Sequence, residues 1–259
     1  MYNFNILLAF VYLCAIVRPS IEQTSAIFQP PYNRIQVSGR YSSCDSLHKA
    51  GYRKSGAYPL YIGNNIRPKI LLCYMTRHYA GTVFLYRFHG KQNFERNFTE
   101  YLNGFGEVSK DYWLGLDDLY RLTSRGGHNK LTIILEDWAN NRIAMHYAYF
   151  NISEPNSGFR VDVDTFFGPK EYYDHMSPLR GRRFQTPDHY GHGDDFQCGL
   201  NTKAGWWYSS CTDGLLTGRY YFHGYYRPRC STCENGIFWR SFRGGSYSMK
   251  YVTMAVSVN

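Results

Sequence analysis

Cysteine placement sets the first constraint on this chain. Cys198 and Cys211 enclose Gly199-Leu-Asn-Thr-Lys-Ala-Gly-Trp-Trp-Tyr-Ser-Ser210, and Asp188-His-Tyr-Gly-His-Gly-Asp-Asp-Phe-Gln197 stands just ahead with its oxygen and imidazole groups. Closing a loop of this size restricts the unfolded chain by about 3 kcal/mol in the chain-entropy picture and fixes the loop's shape for binding. Two readings stay open here. The loop is either a rigid recognition element or a structural staple around two core tryptophans.

The chain has 7 cysteines. Cys14 lies in Ile6-Leu-Leu-Ala-Phe-Val-Tyr-Leu-Cys-Ala-Ile-Val17, an apolar run shorter than the ~20 residues that span a bilayer. Closed by Arg18-Pro19-Ser20, it reads as a secretory signal peptide over residues 1–20. The expected mature protein is secreted and extracellular, with no membrane span. There disulfides persist, and Cys44, Cys73, Cys198, Cys211, Cys230 and Cys233 form an even set. Nearest-neighbour spacing suggests Cys44 with Cys73, Cys198 with Cys211 and Cys230 with Cys233. The last spacing also suits redox chemistry, but no βαβ pattern surrounds it, which favours a structural or regulatory bridge.

Apolar residues make up 44% and charged residues 19%, as in a globular chain, and 25 Tyr, 17 Phe and 24 Gly favour a loop-rich domain containing β structure. The formal charge is +9; loss of residues 1–20 removes Arg18 and no acid, leaving +8. Such a surface suits anionic partners. The densest cationic run is Arg180-Gly-Arg-Arg183, and with no evident stripe of cations interleaved with stacking rings the expectation is no nucleic-acid binding.

Residues 21–39 read as a short irregular leader without a collagen or heptad repeat, so a homo-oligomer would have to form through the domain itself. The domain is assigned to residues 40–259. A short helix capped by Ser43 or Asp45 ends at Gly51, strands follow over 56–62, 69–75 and 81–88, and a helix over 97–104. A strand end at Trp113 runs into a second helix, 130–138 and 143–150 form a hairpin, and 247–258 alternates as a returning strand. From Asn151 to that last strand the period fades, and the stretch reads as mostly loops. Asn97-Phe-Thr99 and Asn151-Ile-Ser153 are N-glycosylation sequons. Neither a His-Glu-x-x-His helix nor a Gly-x-Ser-x-Gly elbow occurs, and no enzyme activity is expected.

Gly104-Phe-Gly-Glu-Val-Ser-Lys-Asp-Tyr-Trp-Leu-Gly-Leu-Asp-Asp-Leu119, Leu135-Glu-Asp137, the Cys198 loop with Gly205-Trp-Trp207, Asn235-Gly-Ile-Phe-Trp239 and Tyr247-Ser-Met-Lys250 together resemble the fibrinogen C-terminal domain, a family that includes ficolins, tachylectins and invertebrate fibrinogen-related lectins. The resemblance runs in family order over residues 41–258. It implies an α+β fold with an N-terminal subdomain holding Cys44 and Cys73, a central twisted antiparallel sheet, and a loop-rich C-terminal subdomain carrying the ligand site.

The family's two acidic calcium ligands fall on Tyr190 and His192, so ordinary calcium coordination is expected to be lost, and no cofactor is assigned. Asp188, Asp194 and Asp195 are the carboxylates available to a shifted site. The lectins' acetyl pocket falls on Thr202, Thr212, Cys233 with Glu234 beside it, and Tyr247, mostly small or polar where the family is ring-lined. The resemblance implies a secreted protein that binds glycans or microbial surface molecules in innate immunity or agglutination. The alternative is an extracellular protein-interaction or adhesion module that binds a receptor or matrix protein and no sugar.

Overall fold

The computed structural model describes residues 34–125, 127–189, 197–211, 213–230 and 233–258. The signal peptide over 1–20 and the positions Tyr190, His192, Asp194, Asp195 and Thr212 lie outside the described residues. Part of the supposed leader belongs to the folded unit, because Ile35 N donates to Ala57 O at 2.9 Å.

Helix α1 (Cys44–Lys49) starts where Ser43 and Ser46 cap one another reciprocally. Strands β1 (Gly56–Leu60), β2 (Lys69–Met75) and β3 (Ala80–Arg87) follow. Helix α2 (Phe98–Asn103) uses the same capping device with Asn97 and Glu100. The short strands β4 (Phe105–Gly106) and β5 (Tyr112–Trp113) lead into α3 (Leu116–Thr123). Strands β6 (Lys130–Glu136) and β7 (Arg142–Ile152) make the long hairpin, and β8 (Val161–Phe167) pairs antiparallel with β7.

Strand β8 corrects the expectation of loops beyond Asn151. Val161-Asp-Val-Asp alternates with a period of two, buried Val against outward Asp, as a strand with one wet face does. The aspartates hid it, being poor strand formers in general.

The remaining elements are α4 (Cys198–Thr202), β9 (Gly214–Leu215), β10 (Phe238–Trp239), α5 (Arg240–Arg243) and β11 (Tyr251–Ser257). In the main sheet the order is β1-β2-β3-β11-β6-β7-β8, with β5 on β3 and β4 on β5. All pairings in it are antiparallel. The last strand therefore fills the middle. Every residue of β11 is buried, and Asp45 ties its end to α1 by accepting from Ser257 Oγ at 2.5 Å and Val258 N at 3.0 Å.

Disulfides join Cys44 to Cys73, Cys198 to Cys211 and Cys230 to Cys233. Trp206 and Trp207 are buried, with Trp207 Nε1 donating to Phe159 O at 2.7 Å and its ring packed against Trp113 and Phe184. Gly205 is required because a Cβ there would lie 2.6 Å from the Tyr101 ring. The Gly-Trp-Trp step is thus a core element. Phe238 and Trp239 are buried as well, so none of these rings is a platform for a sugar.

Candidate functional site

The two C-terminal disulfides bracket a groove of about 1150 Å³. It is lined by the 91–95 segment, by α4 with Lys203, and by Arg219 to Phe222 with Arg227, Arg229 and Cys233. This exceeds the usual 300–1,000 Å³ of a small-molecule pocket. The 219–229 segment is braced by its own tyrosines. Tyr221 and Tyr226 stack face to face at 4.2 Å, Tyr221 Oη donates to Asn235 Oδ1 at 3.0 Å, and Tyr226 Oη accepts from Gly236 N at 2.9 Å while donating to Gly245 O. Burial pushes the Tyr226 hydroxyl up to about 12, so it stays a donor at any physiological pH.

Arg87 lies at the base. It is buried, stands 3.7 Å over the Phe94 ring, and donates to Gly218 O at 2.7 Å. Burial pulls its pKa down to about 10, opposed by the nearby Asp111 charge, so it remains a cation at neutral pH. Asp111 is itself fixed, with Oδ1 accepting from Phe88 N at 2.6 Å and His89 N at 2.7 Å.

Around the rim Lys91, Lys203, Arg219, Arg227 and Arg229 are all exposed, against one carboxylate, that of Glu95, among the described residues. Among the described residues none of the five is in an ion pair. Two large rings of the 219–229 segment are exposed, Phe222 in the groove lining at 56% and Tyr225 at 78%. Phe222 packs against Tyr220 and Trp138, and Tyr225 against Tyr247.

The residues assigned to an acetyl pocket are only partly brought together. Thr202 and Cys233 both line the groove. Thr202 is 1% exposed, its hydroxyl donating to Cys198 O at 2.8 Å and meeting Tyr208 Oη at 2.6 Å, and Cys233 is held in its disulfide. Glu234 is buried and ion-paired with Arg240 at 2.6 Å. Tyr247 is 6% exposed, accepts from Trp138 N at 2.8 Å and lies under Tyr225. Apolar funnel and free donors are both absent among these described positions.

Asp188 is similarly engaged. Its Oδ1 accepts from Phe98 N at 3.0 Å and Thr186 Oγ1 at 2.7 Å, while the neighbouring His189 ring packs on Phe98. With Tyr190 and His192 at the family positions and Asp188 occupied by backbone and hydroxyl donors, the described residues do not make up a calcium donor set. Of the two sequons, Asn97 is exposed and caps α2, whereas Asn151 is half-buried within β7 opposite Asp162.

The sequence reading missed the rim. The segment 219–229, Arg-Tyr-Tyr-Phe-His-Gly-Tyr-Tyr-Arg-Pro-Arg, is itself a stripe of three arginines and five aromatic rings. Three of its five rings are engaged internally, since Tyr220 is buried and Tyr221 and Tyr226 cover one another.

Among the described residues no helix is long and apolar enough to cross a membrane. Residues 40–258 match the family described as fibrinogen beta and gamma chains, C-terminal globular domain. Angiopoietin-related protein 6 of Mus musculus is 34% identical over 217 residues, which cover 83% of this chain and 46% of that protein. The chain thus spans about half the length of the curated relatives it matches. Among solved structures, the fibrinogen-like globe domain of human ANGPTL6 superimposes with a TM-score of 0.79 at 30% identity, covering 87% of this chain and 98% of that one. A lamprey fibrin D-dimer complexed with the peptide Gly-His-Arg-Pro-amide gives 0.74 at 25% identity, covering 92% of this chain and 77% of that one. Sheet order, paired cysteines and these matches lead to one assignment: the chain belongs to the fibrinogen C-terminal globular domain family.

Proposed function

We propose that this domain is a secreted protein-interaction module that docks an extracellular protein in the groove between its two C-terminal disulfide loops. The observation that carries the reading is the 219–229 segment, where Phe222 stands exposed in the groove lining with Arg219, Arg227 and Arg229, and Tyr225 between them in sequence is exposed as well. Aromatic and arginine side chains clustered on a rigid frame are the residues that dominate protein–protein binding energies. The likeness to angiopoietin-related proteins supports this reading over the glycan-binding one, as does the engagement of Thr202, Glu234 and Tyr247 in internal bonds. The lamprey relative's peptide complex supports a polypeptide ligand at this fold's surface. That particular peptide carries an arginine, which five rim cations would repel.

The test is binding of the labelled, secreted domain to cell surfaces and to a glycan array, each with and without a chelator. The array is expected to stay silent. Cell binding should be lost after trypsin treatment, survive glycosidases and fall at least about tenfold with Phe222→Ala/Tyr225→Ala, which removes the two exposed rings of the 219–229 segment. Array signals, together with loss of cell binding after glycosidase treatment, would return the domain to the glycan-binding class.

A further inference from the structure

We infer that the partner segment held by this groove is acidic, a stretch of extracellular polypeptide in which Asp or Glu alternates with aromatic residues. The inference rests on the protein-interaction reading above and specifies its partner.

Lys91, Lys203, Arg219, Arg227 and Arg229 all line the groove, so a bound segment would meet cations supplied by three separate stretches of the chain. The described residues do not answer this charge. Among the described residues Glu95 is the one carboxylate lining the groove, and nearby Glu234 is already paired with Arg240. Elsewhere the protein pairs its cations freely, as Arg180 does with Asp162 and Asp164, Arg121 with Asp117, and Arg142 and Lys250 with Glu136. Unanswered like charge gathered in one concavity repels itself and focuses a positive field into the space between, a gain only if an anion enters. Complementary charge of this kind steers association and selects partners more than it raises bulk affinity.

Geometry favours a polypeptide over a small anion. Five cations distributed along a groove of about 1150 Å³ suit a run of carboxylates and not a single one. Phe222 in the groove lining, and exposed Tyr225 in the same segment, offer apolar faces to side chains lying between those carboxylates. Arg219 already holds its guanidinium 5.4 Å over the Tyr221 ring, which leaves its edge open for a planar carboxylate.

The experiment is fluorescence anisotropy with the intact secreted protein and a labelled peptide of alternating Glu and Tyr, beside equal-length peptides with Gln or Lys in place of Glu, and a heparin oligosaccharide. The Glu peptide alone among the peptides should bind. Raising salt from about 0.1 M to about 1 M, over which the Debye length falls from about 10 Å to about 3 Å, should weaken it steeply. Arg227→Glu/Arg229→Glu should cut affinity at least about tenfold, while Arg77→Glu on the exposed β2–β3 turn leaves it unchanged. All three side chains are exposed, and an unchanged thermal midpoint shows that the fold is intact. Equal binding of the Gln peptide, or heparin binding lost in the double variant with no Glu-peptide binding, overturns the inference. If cell-surface binding survives the double reversal but fails in Phe222→Ala/Tyr225→Ala, the acidic partner is wrong and the interaction reading stands. Loss of that binding to glycosidases sinks the interaction reading itself.

Discussion

Asp137 shows how one side chain can organise a region. Its carboxylate is fully buried, accepts from Ala139 N, Asn141 N and Asn141 Nδ2 at 2.8 Å each, and pairs with Arg243, whose Nε stands 2.7 Å away. Burial alone would push its pKa up. The donors from Asn141 and Arg243 outweigh that and hold it below the ordinary carboxylate value. A carboxyl depressed in the folded state contributes stability that is fully present above its unfolded value of about 3.9 and is lost as pH falls through the folded one. Asp137→Asn should therefore lower unfolding free energy by about 2 kcal/mol at pH 7, since hydrogen bonds to a charged group are worth about 1.5–3 kcal/mol and Arg243 is partly solvated. The gap between variant and parent, measured by urea unfolding, should narrow below about pH 4 as the parent's carboxylate protonates. An equal gap across the whole pH range would mean that the charge of Asp137 contributes nothing and only its shape matters.

At the scale of elements the central position of β11 gives the sharpest expectation. It pairs with β3 over 252–256 and with β6 over 251–257, so it joins the β1-β2-β3 half of the sheet to the β6-β7-β8 half. A chain stopped after Lys250 would leave two buried strand edges unpaired, a state that aggregates or fails to fold. The expected result is loss of secreted protein with no soluble monomer on gel filtration; a folded, secreted monomer would show that the halves meet without β11. Much of this order is legible in sequence. The first helix is announced by its capping residues, the helix over 97–104 by its spacing and the stop at Gly104, β6 and β7 by their apolar runs, and β11 by alternation. Strand β8 was not, because its Asp162 and Asp164 are poor strand formers and ion-pair with Arg180 from a later segment. The candidate site was less legible than the fold. Cysteine spacing located the bracket, but whether Phe222 points outward and Tyr220 inward depends on packing against Trp138 and on the Tyr220 hydroxyl reaching Phe88 O and Lys250 O, contacts that no local pattern encodes.

For the whole molecule, the three disulfides divide by access. Cys44 and Cys73 are wholly buried at the α1–β2 contact, and Cys198 and Cys211 are nearly so beneath the groove wall. Cys230 is exposed, and Cys233 lines the groove at partial exposure. Thiol–disulfide exchange requires an attacking thiolate to reach a sulfur, so access orders the reactions. A mild thiol reductant should open the Cys230–Cys233 bridge first, leaving the other two until denaturant is added. Alkylation followed by peptide mass mapping should label Cys230 and Cys233 alone under native conditions. Because this bridge ends the segment carrying Arg227 and Arg229, its opening frees one wall of the groove while the sheet and its two buried bridges stay intact. The reduced protein should therefore keep a cooperative thermal transition while binding the acidic peptide several-fold more weakly, since preorganisation of the rim is lost. Simultaneous labelling of all six cysteines would show that the molecule opens as one unit. Native labelling with unchanged peptide affinity would show that the rim is held by the Tyr221–Tyr226 stack and its hydrogen bonds, without help from the bridge.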